Sequence, residues 1–283
     1  MPAPCMSEDI AALFLSLPEE SLPKDYERAV IEDNVLGKNT ESNRKKTLGY
    51  LRRIYSLDPT LAVFRCFRFF AYCEPSEIHQ LALLCAHSRD PLLTEMAPLY
   101  LKLPVGRKLE RETVEEAIAE CRPGQYSYKM KRSMAQNLSS SFTYSGHLRG
   151  KVTKERVTPS TGPAAVAYAL LLSYLLGKRG QMLFENPLCR LLDRPSSYLK
   201  SLAHNASLRG WINYKAAGAF SSKTHRWPSP PTSNRSKLFL TAGQEKRTVL
   251  PTLRKGKRPS AIQLSIVRGF TLSRSARSVF VSK

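Results

Sequence analysis

Residues 127–158 read SYKMKRSMAQNLSSSFTYSGHLRGKVTKERVT. Ser127 is an N-cap by type, and Pro123-Gly124 breaks whatever precedes it. From Lys129 the pattern is helical. At about 100° per residue, Met130, Met134, Leu138 and Phe142 share one side, with Ala135 at its edge. Lys129, Arg132, Ser133, Gln136, Ser139 and Ser140 share the other. That polar side carries cations, an amide and small hydroxyls, and no carboxylate. Such a mixture suits a helix in a DNA major groove, where Arg takes two guanine acceptors, Gln pairs with adenine and Ser reaches phosphate or base.

Gly146 ends the helical pattern. Leu148, Val152 and Val157 then mark short extended pieces around Gly150, interleaved with Arg149, Lys151, Lys154 and Arg156. A basic hairpin after a polar-faced helix is the layout of a winged helix-turn-helix, whose hairpin touches the backbone beside the groove. His147, between Gly146 and Leu148, is a further candidate phosphate contact. The same stretch also fits a solvated surface helix followed by a basic loop.

The remainder reads as short helices separated by Pro and Gly. Residues 1–24 hold one apolar segment, Ile10 to Leu17, closed by Pro18. A helical region over 25–122 follows. It begins with a helix from Asp25 to about Leu36, and then a basic helix over 40–56 capped by Asn39, Thr40 or Ser42. On that basic helix Leu48, Leu51, Ile54 and Tyr55 make one face. Arg44, Lys45, Lys46, Arg52 and Arg53 form a second candidate phosphate-contacting surface, though a charged flank is usually just solvated. Further helices are expected over 60–72, from Pro75 to about His87, and from Asp90-Pro91 to about Leu103. Thr113-Val114-Glu115-Glu116 reads as a capping box for one reaching Cys121.

A second region spans 123–218. Beyond the basic hairpin, Ala164 to Leu176 is apolar on nearly every face. Its thirteen residues fall short of the roughly 20 that cross a bilayer, so the reading is a buried central helix and no membrane insertion. Gly177 is its C-cap, and Lys178-Arg179 complement the helix dipole. Glu185 to Asp193 is a short amphipathic piece. Pro195-Ser196-Ser197 starts a final helix through Arg209, ended by Gly210. From Ala219 the composition becomes Ser-, Pro-, Arg- and Lys-rich, which reads as a disordered basic tail over 219–283. The fold class is therefore mainly α: a compact multi-helix assembly with a winged helix-turn-helix-like element and a basic, disordered C-terminal tail.

The formal net charge is +21, which suits a polyanionic partner. It is unevenly spread. Residues 219–283 hold fourteen Lys or Arg against one acid, Glu245, a net +13 that leaves +8 for residues 1–218. The six cysteines show no C-x-x-C spacing, and the pattern reads as reduced thiols in a cytoplasmic protein. The N-terminus carries Glu8 and Asp9 and lacks the basic region of a signal peptide. No phosphate-binding loop, nucleophile elbow or H-E-x-x-H motif is present, so no enzymatic activity, metal or cofactor is expected.

A set of short runs, taken in order, carries a resemblance. They are Asn39-Thr40-Glu41-Ser42-Asn43-Arg44-Lys45-Lys46, Leu51-Arg52-Arg53, Leu57-Asp58-Pro59, Ala135-Gln136-Asn137-Leu138-Ser139-Ser140-Ser141 and Ser145-Gly146-His147-Leu148. Ala167-Tyr168-Ala169-Leu170-Leu171, Leu183-Phe184-Glu185, Leu191-Leu192-Asp193, Arg209-Gly210-Trp211 and Tyr214-Lys215-Ala216-Ala217-Gly218 follow. Over residues 25–218 the chain resembles the BrxA family of BREX bacteriophage-exclusion systems. The resemblance implies a mainly helical, non-enzymatic, double-stranded DNA-binding component of a bacterial anti-phage system. It also implies BREX partners: an adenine methyltransferase, a large ATPase, an alkaline-phosphatase-like protein and a Lon-like protease component. The family has been likened to the NusB-type RNA-binding fold, which keeps an RNA-binding module open as one alternative; a scaffold binding other BREX components is another. After Gly218 the likeness stops where family members end in a short apolar and acidic strand. The expectation is that a frame change replaced that ending.

Overall fold

The computed structural model describes residues 5–215 and 263–266. Eleven α-helices are present among them: α1 Ser7–Ser16, α2 Pro23–Ile31, α3 Glu41–Tyr55, α4 Ala62–Cys73, α5 Ile78–His87, α6 Pro91–Lys102, α7 Arg111–Cys121, α8 Tyr128–Tyr144, α9 Pro163–Leu175, α10 Pro187–Arg190 and α11 Ser196–Leu208. Five short strands accompany them: β1 Lys108–Leu109, β2 Leu148–Arg149, β3 Lys154–Arg156, β4 Ile212–Lys215 and β5 Gln263–Ile266. The chain is mainly helical, as the periodicity predicts.

Local chemistry sets many of the boundaries. Thr40 Oγ1 accepts the Asn43 N–H at 3.2 Å and starts α3. Asp90 Oδ1 accepts the Leu92 N–H at 2.9 Å ahead of Pro91, the first residue of α6. Two expected boundaries move. α2 stops at Ile31, and the chain then turns through Asn34, at a φ of 48°. α7 begins at Arg111, so Thr113 lies inside the helix and the expected capping box does not start it.

Two helices form the centre. α9 buries ten of its thirteen residues, from Ala164 through Ser173. α5, read from sequence as one short helix among several, buries nine of ten, all but His79. It is flanked by α1, α3, α4, α6, α8 and α9. A run of rings joins these layers. Phe67 of α4 stacks between Tyr55 of α3, centroids 5.3 Å apart, and Tyr168 of α9 at 6.1 Å. One continuous apolar core runs through residues on both sides of position 122. At its edge, the Glu77 carboxylate accepts the Ala165 N–H at 2.7 Å and the Ala164 N–H at 3.3 Å. A residue from the turn before α5 thus caps the start of α9.

The strands form two small sheets. β1, β3 and β2 are antiparallel in that order, with Lys108 opposite Glu155, Leu109 opposite Lys154, Leu148 opposite Arg156 and Arg149 opposite Glu155. β4 pairs antiparallel with β5, Ile212 opposite Ile266 and Tyr214 opposite Leu264. The tail expected to be disordered, residues 219–283, lies outside the described residues except for β5, where a strand stands in place of the expected disorder. None of the six cysteines forms a disulfide. No described helix is long and apolar enough to cross a membrane.

Candidate nucleic-acid interface

The stretch quoted first becomes part of a contiguous unit running α6, β1, α7, α8, β2, β3. α8 starts where Ser127 Oγ accepts the Met130 N–H at 3.3 Å. Its apolar stripe packs as the spacing predicts: Met134, Ala135, Leu138 and Phe142 are buried, and Met130 lies against the core. Phe142 stacks on Tyr100 of α6 with centroids 3.9 Å apart and planes 12° apart. This contact fixes the rotation of α8 about its own axis and so decides which residues face outward.

Lys129, Arg132 and Gln136 are exposed, and Ser133 and Ser140 are half-buried on the same side. No ion pair engages Lys129 or Arg132 among the described residues. Tyr128, at the first turn, is 67 % exposed. Ser139 departs from the expectation. It lies beneath the polar side, buried, with its Oγ 3.2 Å from the Tyr100 hydroxyl. At about 100° per residue position 139 lies about 40° from buried Ala135, on the border of the apolar stripe, where Tyr100 of α6 meets it.

The hairpin places its cations in two environments. Arg149 and Lys151 are exposed, and Arg149 pairs with Glu155 at 3.3 Å. Glu155 lies between Lys108 and Arg149 in register, so the outer face of the sheet is a short ladder of alternating charge. Lys154 and Arg156 point to the opposite face. Lys154 Nζ donates to Thr143 Oγ1 at 2.8 Å, and its partial burial lowers its pKa. Arg156 is 1 % exposed and donates to the carbonyls of Tyr100 at 2.9 Å, His147 at 3.0 Å and Val157, and to the Asp193 carboxylate. It is a structural cation, not a phosphate contact.

His147 is likewise removed from the surface, at 1 % exposure. Nδ1 lies 2.8 Å from Ser145 Oγ and Nε2 lies 2.7 Å from the Leu191 carbonyl. Burial pushes the imidazole down to about 4, which leaves it neutral at physiological pH.

The second expected surface, on α3, is largely committed within the fold. Arg44 Nη1 donates to the Ile31 carbonyl at 2.7 Å, tying α3 to the end of α2. Lys45 pairs with Glu41 at 2.5 Å and Arg52 with Glu27 at 2.9 Å, both at the surface. Arg53 lies over the Tyr50 ring at 5.3 Å, and Lys46 is exposed.

Two features of the unit were not read from the sequence. Arg107 and Lys108 are exposed beside the hairpin because β1 joins β3. Gly106 followed by two cations was the available signal, but a two-residue strand has no alternation to detect. The other feature opposes an anionic ligand: α7 exposes Glu112, Glu116 and Glu120 at helical spacing. Glu112 is held below its ordinary pKa by its own backbone N–H, by the Arg111 side chain and, more weakly, by Arg132. Among the described residues no group of three or more His, Cys, Asp or Glu has metal-binding geometry. No family model, curated protein or solved structure matches the chain.

Proposed function

We propose that the chain is a non-enzymatic, double-stranded DNA-binding module that presents α8 to the major groove and the β2–β3 hairpin to the adjoining backbone. The observation that carries this reading is the order helix, strand, helix, helix, strand, strand with the sheet order β1-β3-β2. That order supports a winged helix-turn-helix-like reading of the unit, and its third helix carries exposed Lys129, Arg132 and Gln136. The resemblance to the BrxA family supports a place for the module in BREX phage defence. The non-enzymatic reading draws on the use of polar groups inside the fold. His87 and His147 are buried, and the Cys5, Cys66 and Cys189 thiols are pushed by burial up to about 12.

A second reading, a scaffold that binds another protein, draws on the acidic stripe of α7. Glu112, Glu116 and Glu120 stand on the helix next to α8 and would disfavour a phosphate backbone laid across both. Fluorescence anisotropy of the full chain with duplex DNA and with single-stranded RNA, at low and physiological salt, separates the readings. For the DNA module, Arg132→Ala and Gln136→Ala weaken duplex binding at physiological salt by about five- to fiftyfold. Unchanged binding in both variants would remove α8 from the interface. Preference for RNA would favour the NusB-type alternative, and binding lost at moderate salt would favour the scaffold.

A further inference from the structure

We propose that the chain associates with copies of itself, the acidic turn between α1 and α2 of one copy docking on the basic turn after α9 of the next. The inference stands apart from the duplex-binding reading, because neither surface includes α8 or the β2–β3 hairpin.

Two apolar side chains flank the first turn. Leu15, in the last turn of α1, is 84 % exposed, and Leu22, just ahead of α2, is 62 % exposed. Between them Pro18, Glu19 and Glu20 also meet solvent. Two leucines around one turn form a patch, unlike the single apolar side chains that any surface carries. The turn is held from beneath. Arg68 Nη2 donates to the Leu17 carbonyl at 2.7 Å and to the Pro18 carbonyl, and Ser21 Oγ donates to the Pro18 carbonyl at 2.7 Å. The surrounding charge is negative. Residues 1–36 hold eight acids against Lys24 and Arg28, so the +8 of residues 1–218 is −6 here and +14 beyond.

The second turn is the chemical complement of the first. Leu176, at the C-cap of α9, is 45 % exposed and Met182 is 56 % exposed. Lys178 and Arg179 lie between them, with no acid. This turn is also held in one shape. The Gly177 N–H donates to the Tyr174 carbonyl at 3.0 Å and the Lys178 N–H to the Ser173 carbonyl at 3.1 Å. Arg179 Nη1 donates to the Tyr174 carbonyl at 2.8 Å. Surfaces already ordered lose little freedom on meeting. Leucines against Leu176 and Met182, with glutamates against Lys178 and Arg179, give an apolar centre with a paired charged rim. One chain carries both halves, so a second copy supplies the complement of each. The two surfaces differ, so the contact is heterologous, and every copy added leaves one surface of each kind open. The patches are small, which sets the affinity of a weak contact, with Kd on the order of 10 µM.

Sedimentation velocity of the full chain, from about 1 to 200 µM and at about 50 and 300 mM salt, reads the assembly. The wild-type chain is expected to form dimers and larger species at low salt and to return toward monomer at high salt. Leu15→Ser/Leu22→Ser and Leu176→Ser/Met182→Ser change only exposed side chains, and each variant alone is expected to be monomeric. Mixed, the first supplies an intact basic turn and the second an intact acidic turn, so the pair is expected to form a 1:1 dimer that grows no further. Glu20→Lys keeps all four apolar side chains and is expected to weaken low-salt association about tenfold.

A wild-type chain that stays monomeric at low salt overturns the proposal. So does association of Leu176→Ser/Met182→Ser alone, which would put another segment of the chain on the acidic turn. A mixture that stays monomeric, or Glu20→Lys that associates like the wild type, overturns it as well. A 1:1 dimer from the mixture requires both variants to be folded, so that result separates a lost contact from a lost fold.

Discussion

Arg156 and Asp193 form an ion pair that closes the underside of the β1-β3-β2 sheet against the segment between α10 and α11, with the Arg156 side chain 1 % and the Asp193 side chain 26 % exposed. The guanidinium also satisfies three backbone carbonyls, those of Tyr100, His147 and Val157. One side chain thus ties α6, the hairpin and the C-terminal helices together.

Replacing Arg156 with Met leaves the Asp193 carboxylate and three carbonyls without their donor. The expected loss is about 3 kcal/mol, measured as a lower urea midpoint at unchanged m. Arg156→Lys is expected to recover little of it, because an ammonium cannot reproduce the planar fork that reaches all four acceptors.

Acid should destabilise the fold through His87 and His147. Burial pushes both imidazoles down to about 4 from an ordinary 6.5. Between those values the unfolded chain binds protons that the folded chain refuses. Stability is therefore full above pH 6.5 and is lost as pH falls toward 4, by at most about 3 kcal/mol per histidine. Glu77 acts in the opposite sense. Burial raises its carboxyl above 4.5 despite the opposing N–H bonds of Ala165 and Ala164. Its contribution is present below 4.5 and is lost as pH rises through the raised value, so it offsets part of the histidine effect only at the acid end. Denaturation midpoints across pH 4 to 7 should flatten in His87→Met.

Ser139 and Gln136 lie on the same helix three residues apart but should answer different assays. Ser139→Ala removes the partner of the buried Tyr100 hydroxyl and is expected to cost about 1 kcal/mol of stability with duplex affinity unchanged. Gln136→Ala should reverse this, leaving the melting temperature alone and weakening duplex binding. A loss of affinity in Ser139→Ala without a loss of stability would mean that the rotation of α8 is misassigned.

Gly162 precedes α9 at an ordinary φ, yet a Cβ there would lie 2.1 Å from Glu77 Oε1. Gly162→Ala should displace the carboxylate from the Ala164 and Ala165 N–H groups and cost about 1–2 kcal/mol. Glu77→Ala should cost a similar amount, and the double variant little more than either, since both remove one cap.

What the sequence by itself determined is local. The Ser127 cap, the stripe of Met134, Leu138 and Phe142, and the apolar run that becomes α9 follow from residue type and helical period, and the structure keeps them. What only the tertiary structure decided is which polar groups meet solvent. Lys151 and Arg156 look alike in a basic hairpin. Arg156 is buried because Asp193 and the Tyr100 carbonyl, 37 and 56 positions away, meet it there. His147 is taken inward by the Leu191 carbonyl and Ser139 by Tyr100. β1 joins the hairpin only because α7 and α8 fold back between them. A charged or hydroxyl side chain carries no local mark of burial, since its cost inside the fold is offset by partners that arrive from elsewhere in the chain.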